Sequence, residues 1–214
     1  MAYAVLAALL FGASAPFAKA LLGGWGELRL AGALYLASGL GLLLIRIPMG
    51  GAFSLRRADL PWLLGAIASG GLAAPVLLLF GLRLTTGYAG ALLLNLEVVF
   101  TTSLAVLFFR ERLSRRELAA IVVLLAGAAA VGAGTAGARD ATNPLLGGLL
   151  VAAACFAWGV DNNLTRRISG RHPLEVAGFK GLAAGGMNTV LGIALGQEAP
   201  QGWTPLAQAA LLGF

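Results

Sequence analysis

Four ionisable residues lie inside long apolar runs: Lys19, Glu97, Asp161 and Lys180. A charge at mid-membrane costs about 2.5–3.5 kcal/mol on insertion scales, so each needs a reason to be there. Glu97 is the deepest, about 15 Å into its run at 1.5 Å per residue. Two chemistries fit it. One is a midplane site for a proton, a cation or a substrate amine. The other is a buried acid that hydrogen-bonds helices together. Helical spacing puts Gly90, Glu97 and Thr101 on one face, with Asn95 and Thr102 on the other side, about 200° away for Asn95. A regular helix cannot aim Asn95 and Glu97 into one cavity, so one of them should bond a neighbouring helix.

Asp161 and Lys180 fall at matching depth on consecutive antiparallel runs, about 6–9 Å inside the same boundary. That placement predicts an ion pair. A gate at the inner mouth and a static buried pair both fit, since a buried pair is weak evidence for either. Lys19, near the outer end of the first run, can snorkel to the surface. Asn188 lies near mid-membrane, and Asn162 and Asn163 follow Asp161; interhelical hydrogen bonding accounts for such groups. Trp158 and Phe11 sit deep, where they line a pathway or fill the core. Pro16 and Pro75 each remove a backbone hydrogen bond, and Gly70-Gly71 loosens the stretch before Pro75. Such breaks mark cavities in transporters. Glu97, Asn95, Trp158 and Asn188 are thus the candidate substrate or proton pathway, Asp161 and Lys180 the candidate gate, and Pro16 and Pro75 the candidate helix breaks.

Other chemistries find little material. One histidine, His172, and one cysteine, Cys155, leave no multi-ligand metal centre and no disulfide framework. No P-loop signature is present, so ATP is not the direct energy source and no cofactor is expected. His172 and Glu175, three apart in one loop, are the only candidates for an integral-membrane enzyme. A non-transporting assembly subunit is a further alternative. The net charge of +6 and pI near 10.4 raise nucleic acid as a partner. The basic residues form short clusters between apolar runs, however, and no continuous basic face. The expected partners are the lipid bilayer and a small molecule, with proton coupling and plain uniport both open.

Of the 214 residues, 59% are hydrophobic and 11% charged, with mean hydropathy +0.87. A spanning helix needs about 20 apolar residues. The runs 2–22, 29–47, 61–81, 87–109, 118–137, 145–165 and 175–196 qualify, and 205–214 begins an eighth. The fold class is all-α, a polytopic membrane helix bundle. The 31 glycines suit helices packed closely in lipid. Trp62 and Trp203, near run starts, read as interfacial anchors.

Arginines cluster after the second, fourth and sixth runs: Arg46, Arg56 and Arg57; Arg110, Arg112, Arg115 and Arg116; Arg166, Arg167 and Arg171. The other loops hold Arg29, Arg83 and Arg139. The positive-inside rule places Met1 and the basic loops in the cytoplasm. The eighth run covers about 15 Å, half a membrane, so the sequence reads as a fragment. Phe11-Gly12 and Trp158-Gly159 recur 147 positions apart, and Ala31-Gly32 and Ala177-Gly178 recur 146 apart. Five helices precede the second copy, an odd number, so the repeats would be inverted, a plan used by secondary transporters. The expected units are 1–137, a first five-helix repeat, and 145–214, the start of a second, incomplete one.

Three stretches carry a family resemblance. They are Leu10–Phe17 with its Phe-Gly-Ala-Ser-Ala-Pro core, Leu93–Thr101 followed by Phe109–Ser114, and Trp158–Arg166 with Lys180-Gly181-Leu182. The chain resembles the EamA-type drug/metabolite transporters over essentially its whole length. The resemblance implies ten helices in two inverted five-helix repeats and residence in the bacterial inner membrane. It also implies transport, often export, of amino acids or related metabolites. Many relatives have proline after the glutamate; Val98 stands there, which puts a helix break at Glu97 in doubt.

Overall fold

The computed structural model describes residues 2–134 and 141–213, and the side chains among them apart from residues 2–8, 11 and 132. The side chain of Phe11, Met1 and Arg139 therefore lie outside the described residues. Among the described residues there is no strand. The helices are α1 (Ala2–Leu21), α2 (Glu27–Arg46), α3 (Leu60–Ala66), α4 (Ala74–Leu84), α5 (Gly87–Leu93), α6 (Leu96–Phe109), α7 (Arg115–Gly134), α8 (Pro144–Arg166), α9 (Pro173–Ala194) and α10 (Trp203–Gly213). Over its described residues, each of the eight apolar runs is mainly helical. Four described stretches are long and apolar enough to cross a membrane by length and composition: Glu27–Met49, Arg57–Leu84, Gly87–Phe109 and Pro144–Arg166. The chain is a multi-pass membrane protein.

Two runs are not uniform helices. Between α3 and α4, Ile67–Ala73 is a π-helix, with the Ala74 N–H bonded back to the Ser69 carbonyl. That register leaves the carbonyls of Gly70 and Gly71 facing Pro75, five and four residues on. Pro75 has no N–H to give either of them. The second interruption falls at Leu94–Asn95, between α5 and α6. The doubt raised by Val98 is therefore corrected: the helix breaks without a proline, two residues before Glu97. The break also changes the face shared by Gly90 and Glu97. Gly90 abuts Leu82 of α4 and Ala15 of α1, while Glu97 and Thr101 look toward α8. Pro16, by contrast, does not interrupt α1, which runs through it.

Glycine decides how closely the helices approach. Helices α2 and α9 pack antiparallel along a seam of Gly32, Gly39, Gly178, Gly181, Gly185 and Gly192. A methyl group added at Gly39 would stand 2.5 Å from the Leu182 nitrogen, and one at Gly181 would stand 2.8 Å from Gly39 Cα. Helices α4 and α8 meet in the same way, where a methyl group at Gly81 would lie 2.9 Å from the Gly147 carbonyl.

The alternating arginine loops map to the two ends of the bundle. At one end Arg171 pairs with Asp59 at 2.7 Å and Arg166 pairs with Glu111. At the other end Arg83 pairs with Glu27. Helix α7 starts at the basic end with a capping box. Glu117 accepts from the Ser114 N–H at 2.7 Å, and its own N–H donates to Ser114 Oγ at 3.2 Å. These bonds hold the Glu117 carboxyl below the usual carboxylate range. The cap's contribution is therefore present above the unfolded glutamate pKa and fades as pH falls through the lowered value.

Candidate functional site: a cavity between two ion-pair clusters

The carbonyls orphaned by the π-helix and Pro75 organise the centre of the bundle. Tyr35 of α2 donates its hydroxyl to the Gly70 carbonyl at 2.8 Å, and Trp158 of α8 donates Nε1 to the same oxygen at 3.1 Å. Asn188 of α9 donates Nδ2 to the Gly71 carbonyl at 2.9 Å. Three helices thus supply side-chain donors to the carbonyls next to a proline that has no N–H to give. Pro75 stands in the first turn of α4, just after the π-helix, and Trp158 and Asn188 bond the Gly70 and Gly71 carbonyls ahead of it.

Beside these carbonyls, Lys180 Nζ lies 2.6 Å from Asp161 Oδ2, and the Thr165 hydroxyl donates to Asp161 Oδ1 at 3.0 Å. The Asp161 side chain is 3% exposed and that of Lys180 is 20% exposed. The lysine reaches a cavity of about 310 Å³ lined by Tyr35, Ser38, Trp158 and Lys180 together with Ser14, Pro75 and Leu94. Most of its remaining wall is aliphatic, contributed by α1, α2, α4, α9 and α10.

Glu97 is next to this cavity and does not line it. Its Oε1 accepts from Asn162 Nδ2 at 2.8 Å, and the same amide reaches Thr101 Oγ1 at 3.1 Å. Asn163 donates to the carbonyls of Thr101 and Gly159 at 3.1 and 2.8 Å, which binds α8 to α6. Asn95 is exposed and donates to the Leu92 carbonyl at 2.9 Å, closing its own broken turn. Asn95 and Glu97 therefore do part company, and Glu97 is the one that bonds a neighbouring helix. Asn188 is fully buried against the π-helix and does not line the cavity. Lys19 donates to the Arg83 carbonyl at 3.2 Å.

Sequence spacing did not reveal the two clusters that tie the ends of α2, with Tyr35 and Ser38 midway between them. At the basic end, Arg46 contacts Glu175 Oε1 through Nη2 at 2.7 Å and Nε at 2.8 Å. Glu175 Oε2 accepts from the Ser54 N–H at 2.6 Å and its hydroxyl at 2.7 Å, and His172 N–H donates to Ser54 Oγ at 2.8 Å. Both oxygens of Glu175 are thus engaged, which gives the enzyme reading on His172 and Glu175 no support. At the opposite end Glu27 pairs with Arg83 and accepts from Gln197 at 3.3 Å, and Arg83 donates to the Trp25 carbonyl at 2.9 Å. The available signal was an arginine in the last turn of α2 and a glutamate in its first.

Removing Arg46 would leave Glu175 buried without a cation. Breaking a buried pair in this way costs about 3–5 kcal/mol. Arg46→Met should therefore lower thermal stability in detergent by that order, and Arg46→Met combined with Glu175→Gln should regain much of it. A single variant as stable as the parent would show that the pair does not hold this end.

The model of the EamA-like transporter family matches residues 1–133. An uncharacterized transporter of Methanothermobacter thermautotrophicus is 29% identical over 207 residues, which cover 90% of this chain and 60% of that protein. The chain thus spans about 60% of the length of the curated relative it matches. A solved crystal structure shares the fold, with TM-score 0.67 and 20% identity over 97% of this chain and 74% of that one.

Proposed function

The chain belongs to the EamA-like transporter family, and from that premise we propose that it carries a small metabolite across the membrane by alternating access. The observation that carries this reading is the cavity midway along α2, reached by the paired Lys180 and bounded toward each end of the helix by an ion-pair cluster. The cargo is a small polar or amphipathic metabolite such as an amino acid or a related compound, and the direction is export. Tyr35 and Trp158 present rings to it, and Lys180 presents a cation. A carboxylate on the cargo competes with Asp161 for Lys180, so binding and pair opening are one event.

The glycine seam suits the required motion. Backbone lies against backbone at Gly39 and Gly181, and the side chains of Arg29, Leu36, Leu43 and Thr189 sit in the other glycine gaps of α2 and α9. Opening toward one side breaks the Arg46–Glu175 cluster; opening toward the other breaks Glu27–Arg83. The antiparallel packing of α2 on α9 supports reading residues 1–137 and 145–214 as inverted repeats. The arginine-rich loops face the cytoplasm of a bacterial inner membrane, with Met1 on the same side.

Glu97 couples the cycle to protons through Asn162, the immediate neighbour of Asp161. The test is transport by proteoliposomes loaded with a mixture of amino acids and small carboxylates, with and without a pH gradient. Glu97→Gln should keep the fold and flatten the pH profile of efflux. An unchanged rate and pH profile in that variant would remove Glu97 from the mechanism.

A further inference from the structure

A second cavity lies away from the transport site. Helices α3 and α6 both pack on α8 and leave between them a groove of about 550 Å³. Its wall is apolar, with Leu104, Phe108, Phe156 and Trp62 prominent, and only Asn163 and Arg167 interrupt it. The Asn163 amide is already committed to the carbonyls of Thr101 and Gly159. The polar function of the groove therefore rests on Arg167.

We propose that this groove binds an anionic phospholipid, its phosphate on Arg167 and one acyl chain along the aromatic wall. Arg167 is held by rings and not by an acid. Its guanidinium carbon lies 5.4 Å from the Trp62 ring centre and 4.7 Å from that of Phe109. Among the described residues it makes no salt bridge, whereas Arg46, Arg83, Arg166 and Arg171 each have a carboxylate. Stacking on ring faces leaves the N–H edge of the guanidinium available, and that edge matches a phosphate. The depth also fits. Phe156 is eleven residues from Arg167, about 16 Å along α8 at 1.5 Å per residue. That is about half of a 30 Å hydrocarbon core, the depth of one leaflet.

The ligand's charge follows from the end of the bundle at which Arg167 sits. Arg56, Arg57, Arg110 and Arg112 share that end with it, and the negative surface potential of a cytoplasmic leaflet attracts such basic clusters. This step rests on the orientation proposed above and not on the transport reading. A second copy of the chain is disfavoured as occupant, because two parallel copies would bring like-charged arginine clusters together.

Trp62 in the groove wall supplies the probe. The full chain is reconstituted in phosphatidylcholine bilayers containing a minor fraction of acyl-brominated phosphatidylglycerol, or the same fraction of acyl-brominated phosphatidylcholine. Subtracting the Trp62→Phe signal isolates Trp62. The expected result is at least threefold stronger quenching of Trp62 by the brominated anionic lipid, falling to parity in Arg167→Gln. Equal quenching by both headgroups in the parent would overturn the proposal, as would a preference that survives Arg167→Gln. Protection of Trp62 from both lipids, with a crosslinkable dimer, would assign the groove to a second copy and overturn it too. Because fluorescence and not transport is read, failure here leaves the transport reading standing, and the reverse also holds.

Discussion

Lys180→Met is expected to destabilise the protein more than Asp161→Asn, although both remove the same ion pair. The asymmetry follows from where each partner sits. The Asp161 carboxylate is almost wholly enclosed, and among the described residues its other oxygen is held only by Thr165. Without Lys180 it is a buried, uncompensated charge, a loss of about 3–5 kcal/mol. Lys180 reaches the cavity, so without Asp161 its ammonium still meets water or cargo, and the loss falls to on the order of 1–2 kcal/mol. The double variant Asp161→Asn with Lys180→Met removes both charges and should regain most of the stability lost in Lys180→Met. Transport should be lost in all variants that lack Lys180, including the stable double. Thermal unfolding in detergent and efflux from proteoliposomes separate the two effects. Equal destabilisation by the two single changes would contradict the burial difference, and transport by the double variant would remove the pair from the cycle.

The second large effect needs only one added methyl group. In Gly39→Ala the new carbon would stand 2.5 Å from the Leu182 nitrogen, 2.8 Å from the Gly181 carbonyl carbon and 2.9 Å from the Gly178 carbonyl oxygen. All three are backbone atoms of α9, so no side chain can swing aside. Overpacking of this kind costs about 1–3 kcal/mol where the surroundings relax, and here α2 and α9 must separate instead. Gly186→Ala, on α9 itself, meets nothing within 4 Å. It should change stability by no more than about 0.5 kcal/mol apart from the helix preference of alanine. A comparison of the two melting curves checks both statements. A Gly39→Ala protein as stable as Gly186→Ala would mean that the seam is not packed as described.

Much of this architecture was legible because membrane helices advertise themselves. Length and hydropathy locate each run, and the alternating arginines sort the loops to two ends. The Asp161–Lys180 contact was legible as well, since depth along two consecutive antiparallel helices is fixed by rise per residue. Other features depend on contacts between distant segments. Arg46 and Glu175 are 129 residues apart, and nothing in their spacing ties one to the other. The break before Glu97 occurs without the expected proline, because side-chain and inter-helix bonds stabilise the turn: Asn95 closes it locally, and Cys155 Sγ lies 3.5 Å from the Leu93 carbonyl. The π-helix left a fainter trace in Gly70-Gly71 ahead of Pro75. Periodicity says that such a stretch is weak but not which side chains will repair it. Tyr35 was missed for that reason: a tyrosine in an apolar helix has no sequence signature of the carbonyl it will find.

Ser38 offers a direct test of alternating access around the central cavity. Ser38 lines the cavity midway along α2, and the chain's one native thiol, Cys155, is buried. In a Cys155→Ala, Ser38→Cys protein, a membrane-impermeant maleimide can be applied to intact cells and, separately, to inverted membrane vesicles. With alternating access the position 38 thiol is labelled from each side in turn, and cargo which protects it from one side also protects it from the other. Labelling from one side alone, unchanged by any pH gradient or added metabolite, would rule out alternating access and describe a fixed crevice instead of a carrier.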